Sequence, residues 1–270
     1  MRDPDMFFGR EDMLRGILNA LHQNSIMLSG EPRIGKTTLL HRLADELRAT
    51  DDPEWLFIPA MIDMEGTPQQ RFFHLLMESI SAAVSGYLPR DGALPLRFYS
   101  VSAGRYTDRA FTADLRALIE TLAAAVTPRS ARLILLIDEM DVINAYDTLV
   151  KQQLRRVFMS SQAYNLGAVV AGTQISKAWD RAESPWYNLF NEIQLDPFSP
   201  ADARCLLIEP VRGAYEWEEV ALGFALARAE GRPFRLQQYG LQAVNHMLAE
   251  GRRRINLADV KAAERVIEHL

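Results

Sequence analysis

The sequence predicts an α/β fold, a parallel sheet covered by helices, with a separate helical domain at its C-terminal end. Three observations carry that prediction. Ser25-Ile26-Met27-Leu28 reads as a short buried strand, and Leu39, Leu40, Leu43 and Leu47 follow it at helical spacing. Arg132-Leu133-Ile134-Leu135-Leu136-Ile137 is an unbroken apolar run, the pattern of a strand buried on both faces in a parallel sheet. From Ser199 onward the periodicity is purely helical.

The turn between the first strand and its helix carries the chemistry. Ser29-Gly30-Glu31-Pro32-Arg33-Ile34-Gly35-Lys36-Thr37-Thr38 fits G-x-x-x-x-G-K-[ST], a phosphate-binding loop, in the strand–loop–helix context that the motif needs. Glycines let backbone wrap around phosphate oxygens, and the N–H groups that open the helix point at the anion. Lys36 would reach the β- and γ-phosphates, and the Thr37 hydroxyl would ligate Mg2+.

The apolar run ends in Asp138 and Glu139, about a hundred residues after the loop. Ligands of open α/β sheets bind at this C-terminal strand edge. In this Walker B arrangement Asp138 would hold Mg2+ opposite Thr37, and Glu139 would orient and polarise the attacking water. Acidic residues after a strand are common, and it is the pairing with the phosphate loop that gives them weight.

The remaining elements follow in order. Phe7-Phe8-Gly9-Arg10-Glu11 precedes an amphipathic helix of Met13, Leu14, Ile17, Leu18 and Leu21. Leu56 to Ile62 reads as a strand, and Pro59 places it at a sheet edge because proline cannot donate to a ladder. Thr67-Pro68-Gln69-Gln70 reads as a capped helix start. Residues 86 to about 110 form an irregular basic insertion with Arg90, Arg97, Arg105 and Arg109, either a solvated loop or a contact for a partner or nucleic acid. Thr112 caps a helix from Ala113 to Val126, and another runs from Tyr146 to Tyr164 with Leu149, Leu154, Val157 and Phe158 on one face. Gly167 to Gln174 reads as a strand with a polar end, and Ile193-Gln194-Leu195 as the fifth strand.

Beyond it, Ser199-Pro200-Ala201-Asp202 opens a helix that closes before Pro210. Further helices span Glu216 to Ala229, Arg235 to Glu250, and Asn256 to the end. The boundary falls near Pro197 to Pro200, giving an α/β domain over 1–198 and a four-helix lid over 199–270. Arg252-Arg253-Arg254 reads as the charged end of a helix.

Composition narrows the function classes. The chain of 270 residues is 48% hydrophobic with a net charge of −5, so nothing global argues for nucleic acid or an anionic membrane. The single cysteine, Cys205, rules out an internal disulfide or a cysteine-rich metal site and reads as a core residue. No apolar run reaches the roughly 18 residues of a membrane span, and the N-terminus lacks a signal-peptide pattern. A soluble, cytoplasmic protein is expected.

Together these motifs resemble prokaryotic STAND-type ATPases, P-loop NTPases related to the AAA+ group. The F-x-G-R-E box, both Walker motifs, Ser184 to Phe190, Leu195-Asp196-Pro197-Phe198-Ser199, Pro210-Val211 and Gly231-Arg232-Pro233 all carry the likeness, over roughly residues 7 to 268. The resemblance implies a five-stranded parallel sheet in which the strand after Walker B lies between the two motif strands. It makes Phe8, Gly9 and Arg10 adenine-pocket residues, packs Pro233 near the base, and gives Arg235, or Arg232, a sensor role on the phosphates. Thr173 becomes a sensor 1 residue, although a helix-capping threonine fits equally. Arg181 falls where AAA+ proteins keep an arginine finger, although a salt-bridged helix surface also fits.

The family's proteins are signalling switches that rest with ADP, exchange it for ATP, self-associate and activate an effector. Their effector and sensor domains have no counterpart in this sequence, which looks like the nucleotide-binding core alone. A preference for adenine is implied by the family, and no guanine-reading N-K-x-D motif is present. The alternative is an AAA+ regulator of DNA transposition or replication loading, favoured by the F-x-G-R-E box and the basic insertion but opposed by the acidic net charge.

Overall fold

Strands β1 (Ile26–Gly30), β2 (Trp55–Asp63), β3 (Ser130–Asp138), β4 (Leu166–Gly172) and β5 (Asn191–Leu195) form one sheet in the order β2-β3-β4-β1-β5. This computed structural model describes residues 7–22, 24–88, 94–159, 165–175, 179, 184, 186 and 188–269. The sheet is parallel, with Ile26 level with Val169 across β1 and β4, and Leu135 level with Ala168 across β3 and β4. The strand after Walker B therefore lies between the two motif strands, as the resemblance implies. Pro59 sits on β2 at the sheet edge, where its missing N–H leaves the β3 pairing intact.

The chain divides into two compact units. One comprises Arg15–Gly30 and Leu39–Gln194. Its core packs β2, β3 and β4 with helices α3 (Phe72–Val84), α4 (Asp108–Val126) and α5 (Thr148–Met159) through Phe72, Leu76, Phe111, Leu118, Leu135 and Phe158. Full burial of side chains of this size stabilises by about 1.5–3 kcal/mol each, which makes them the dominant favourable term here.

The other unit comprises Met1–Leu14, Glu31–Thr38 and Leu195–Leu270. Four helices, α6 (Pro200–Ile208), α7 (Glu219–Ala229), α8 (Pro233–Ala249) and α9 (Leu257–Ile267), pack Leu206, Leu222, Leu236, Tyr239, Met247 and Val260 together. Ser199 caps α6 by accepting from Asp202 N–H, and Asn256 with Asp259 forms a capping box on α9. Helix α1 spans Glu11–Ala20 and helix α2 spans Lys36–Ala49.

Several local expectations are corrected, each because a tertiary contact overrides a local signal. Thr67 caps no helix. Its carbonyl accepts the Tyr146 hydroxyl at 2.5 Å, Gln69 is engaged with Asp147, and Gln69–Arg71 forms a 3-10 turn ahead of α3. Helix α4 begins at Asp108 because Thr107 accepts from Ala110 N–H, while Thr112 bonds back to the Asp108 carbonyl inside the helix. Tyr146 lies before α5, which starts at Thr148, and Leu149 is exposed on it; residues 160–164 of the expected helix lie outside the described residues.

Much of the expected insertion is ordered. The Asp114 carboxylate accepts the Arg97 and Phe98 amides at 3.0 and 2.9 Å and the Tyr106 hydroxyl at 2.8 Å. Arg90 lies outside the described residues. Burial pushes the Tyr106 hydroxyl well above its ordinary range, and the neighbouring carboxylate pushes it further.

In the helical unit, Glu216–Trp217 is a short strand, β6, paired in parallel with β7, Arg254–Ile255. The helix expected from Glu216 starts at Glu219, and the one expected from Arg235 starts at Pro233. Two-residue strands leave no periodicity to read. Arg252 lies beyond the end of α8 and grips Asp259 at 2.6 Å, so the arginine run is no helix end. Cys205 is exposed, since Ala203, Leu206 and Leu207 take the buried face of α6.

Candidate nucleotide site

Lys36 opens α2 from a buried position, and its ammonium donates to the Glu31 carbonyl at 3.0 Å. The loop closes around that bond because Gly35 stands at φ +105°, a conformation that glycine adopts at no steric cost. Arg33 also has positive φ, +62°, and lays its guanidinium 4.4 Å over the Phe234 ring. Glu31 pairs with Arg232 at 3.2 Å. The variable positions of the loop thus hold residues at the start of α8.

Arg10 braces the same loop. Its Nη2 donates to the Ile34 carbonyl at 2.8 Å and to the Asp196 carbonyl at 3.2 Å, while its guanidinium lies 5.1 Å over Phe198. Burial pushes the Arg10 pKa down to about 10, against the opposing pull of Asp196, so it stays charged at neutral pH. Its Nη1 is buried with no hydrogen-bond partner among the described residues. Phe8, Arg10, Ile34, Gly35, Thr38, Phe198 and Pro233 line one small cavity of about 50 Å³. A larger one, about 440 Å³, is lined by Glu31, Pro32, Arg33, Arg232, Phe234 and Arg235.

Two glycines are fixed by close approach. A Cβ on Gly9, which has φ +69°, would stand 2.6 Å from the Asp202 side chain. One on Gly231, also at φ +69°, would stand 2.5 Å from the Phe198 carbonyl oxygen, and Gly231 accepts the Phe198 N–H at 2.8 Å.

The strand-end residues belong to the other unit. Asp138 is buried at the end of β3, level with Asp63, and accepts the Glu139 N–H at 2.9 Å. Glu139 is exposed and left-handed, at φ +51°, and starts a 3-10 segment, Met140–Ala145. Thr173 follows β4, and its N–H donates to Asp141 at 2.5 Å, with Gln174 N–H donating to the same carboxylate at 2.8 Å. Asp141 escaped the sequence reading; the only signal was a third acid two positions after Glu139.

The expected site residues therefore gather in two groups. Phe8, Gly9, Arg10, Glu31, Pro32, Arg33, Ile34, Gly35, Lys36, Thr37, Thr38, Pro233 and Arg235 share one unit. Gly30, Asp138, Glu139 and Thr173 share the other. Arg181 lies outside the described residues. Among those described, no cluster of three or more His, Cys, Asp or Glu could hold a metal ion alone. The donors suit Mg2+ brought in with phosphates, since this ion keeps water and phosphate oxygens beside one or two protein ligands. None of the helices among the described residues is long and apolar enough to cross a membrane.

Comparison with known proteins agrees with this chemistry. No curated protein matches the chain. Among solved structures, Aeropyrum pernix Orc1 in complex with DNA superposes with a TM-score of 0.62 at 18% identity, covering 98% of this chain and 67% of that one. The Thermotoga maritima RuvB Holliday junction branch migration motor gives 0.60 at 19%, covering 98% and 72%. Drosophila ORC bound to DNA gives 0.62 at 17%, covering 96% and 61%. At such identities these likenesses show the fold alone. The family model described as AAA ATPase domain matches residues 6–170, and the chain belongs to that family of ATPases.

Proposed function

We propose that this ATPase is the nucleotide-binding core of a STAND-type molecular switch, with an ADP-bound resting state and an ATP-bound state competent to self-associate. The observation that carries the reading is the packing of the phosphate loop with the lid helices. Glu31 pairs with Arg232, and Arg33 stacks on Phe234, so a change in what the loop holds bears directly on α8. A switch needs that connection; a simple hydrolase does not.

In this reading Lys36 exchanges the Glu31 carbonyl for the β- and γ-phosphates, and Thr37 and Asp138 hold Mg2+, which neutralises phosphate charge. Glu139 orients the attacking water, Thr173 acts as sensor 1, and Arg235 meets the phosphates from the lid. Phe8, Gly9, Arg10 and Pro233 enclose adenine. The domains run 1–198 and 199–270, the protein is cytoplasmic, and a sensor or effector outside this chain supplies the trigger. Hydrolysis is slow until assembly.

A second reading, an AAA+ regulator acting on DNA, is favoured by a specific observation. A cavity of about 420 Å³ along α4 and α5 is lined by Arg109, Arg116 and Arg156, with Asp108 paired to Arg156 at 3.6 Å. Of the proteins whose fold this chain resembles, Orc1 and ORC were solved bound to DNA and RuvB is a Holliday junction branch migration motor. The deciding measurement is the nucleotide released when freshly purified protein is denatured. Near-stoichiometric ADP supports the switch. An empty site, with salt-dependent DNA binding and DNA-stimulated turnover, supports the second reading.

A further inference from the structure

The 3-10 segment after Glu139 and the two residues that follow it are tied to their surroundings. Asn144 accepts the Trp179 indole N–H at 3.0 Å, Tyr146 donates to the Thr67 carbonyl, and Asp147 and Gln69 exchange bonds of 2.6 and 2.9 Å. The Asp141 bonds link the two strand ends that carry chemistry. Asp141 Oδ2 takes the Thr173 N–H at 2.5 Å and Oδ1 takes the Gln174 N–H at 2.8 Å, so one carboxylate brackets the turn after β4 from the turn after β3. Hydrogen bonds to an ionised acceptor are about twice as strong as neutral ones.

Two further features depend on this bracket. A Cβ on Gly172 would stand 3.1 Å from the Asp141 carboxyl and 2.9 Å from the Ile175 side chain, so any larger residue there would push on the bracket. Glu139 keeps a left-handed backbone, φ +51° and ψ +39°, which a non-glycine residue holds only where its surroundings over-determine it. Asp138 fixes the Glu139 N–H, and Asp141 fixes the turn two residues further on.

We infer that Asp141 is a positioning residue for ATP hydrolysis, holding Glu139 and Thr173 in mutual register through the Thr173 and Gln174 amides. The inference rests on the reading of Glu139 as the water-orienting carboxylate and Thr173 as the sensor. Asparagine at 141 keeps one acceptor but turns an NH2 group toward the other amide, and alanine keeps none. Turnover falls in the order Asp, Asn, Ala, while nucleotide binding, governed by the loop, does not.

The test is steady-state ATP hydrolysis and equilibrium ADP binding for the wild type, Asp141→Asn, Asp141→Ala, Thr173→Ala, Asp141→Ala/Thr173→Ala and Glu139→Gln. Asp141→Ala is expected to lower kcat roughly tenfold to a hundredfold, the scale of losses from small misplacement of a reacting group, with KM and ADP affinity within about twofold. Added to Thr173→Ala, it costs much less than it does alone. Wild-type kcat in folded Asp141→Ala, or kcat and ADP affinity falling together, overturns the inference. If Asp141→Ala does not fold, Asp141→Asn decides by the same split between kcat and affinity. Glu139→Gln separates the layers. Normal turnover there refutes the reading of the site, whereas an inactive Glu139→Gln beside a fully active Asp141→Ala refutes only the positioning role.

Discussion

The guanidinium of Arg10 donates to the carbonyl oxygen of Ile34, 24 positions later, at 2.8 Å, and so fixes the phosphate loop from the segment that precedes the sheet. The bond is buried and charge-assisted, and its donor also reaches the Asp196 carbonyl. Both contacts come from Nη2; a lysine ammonium ends one bond short of that position and has no planar face to lay over Phe198, so it loses reach and stacking together. Arg10→Lys is therefore expected to lose about 1.5–3 kcal/mol of stability, read as a shift in the urea unfolding midpoint at unchanged slope. An unshifted midpoint would show that the brace carries no weight.

Gly231 predicts a backbone effect. Its positive φ and the 2.5 Å approach of a Cβ to the Phe198 carbonyl oxygen leave no room for a side chain, and the obstacle is backbone. Gly231→Ala is expected to destabilise by about 1–3 kcal/mol, whereas Gly223→Ala on α7, where a Cβ meets nothing within 4 Å, is expected to be neutral or slightly stabilising. Thermal unfolding of the two variants side by side checks the contrast.

Asp259 predicts an acid limb. Burial alone would raise its carboxyl, but bonds from Arg252, Asn256 and His246 outweigh that and hold it below the usual range. A carboxyl lowered by folding adds stability that is complete above its unfolded pKa of about 3.9 and lost as pH falls through the lower folded value. Asp259→Asn should be less stable by about 1–2 kcal/mol at pH 7, because its partially exposed partners are rehydrated, with the gap to wild type closing below about pH 4. Urea unfolding at pH 7, 4 and 3 measures it; a gap that does not narrow contradicts the assignment.

How much of this was legible follows from the range of each interaction. The phosphate loop and the β3 acids are local patterns, and their strand contexts follow from apolar runs. Pro59 marked the edge strand because the missing N–H is written in the residue itself. The caps at Ser199 and Asn256 were readable for the same reason. Thr67 and Thr112 carry equally good cap chemistry, yet contacts with Tyr146 and the earlier cap at Thr107 decide those ends. Asp141 serves amides 32 and 33 positions away, and nothing nearby in sequence records the bond. Cys205 looked like core because its neighbours are apolar, but helical rotation decides which of them face inward.

The central claim is that the loop binds ATP and the carboxylate just after β3, Glu139, turns it over. Lys36→Ala and Glu139→Gln, each assayed for ATP affinity and for hydrolysis, test it most directly. In the proposed roles Lys36 meets phosphate in the ground state, so its loss should weaken binding about a hundredfold or more; Glu139 acts on the attacking water, so its loss should leave affinity within about twofold and lower turnover at least a hundredfold. Full ATP affinity in Lys36→Ala, or equal loss of binding in both variants, would contradict the account.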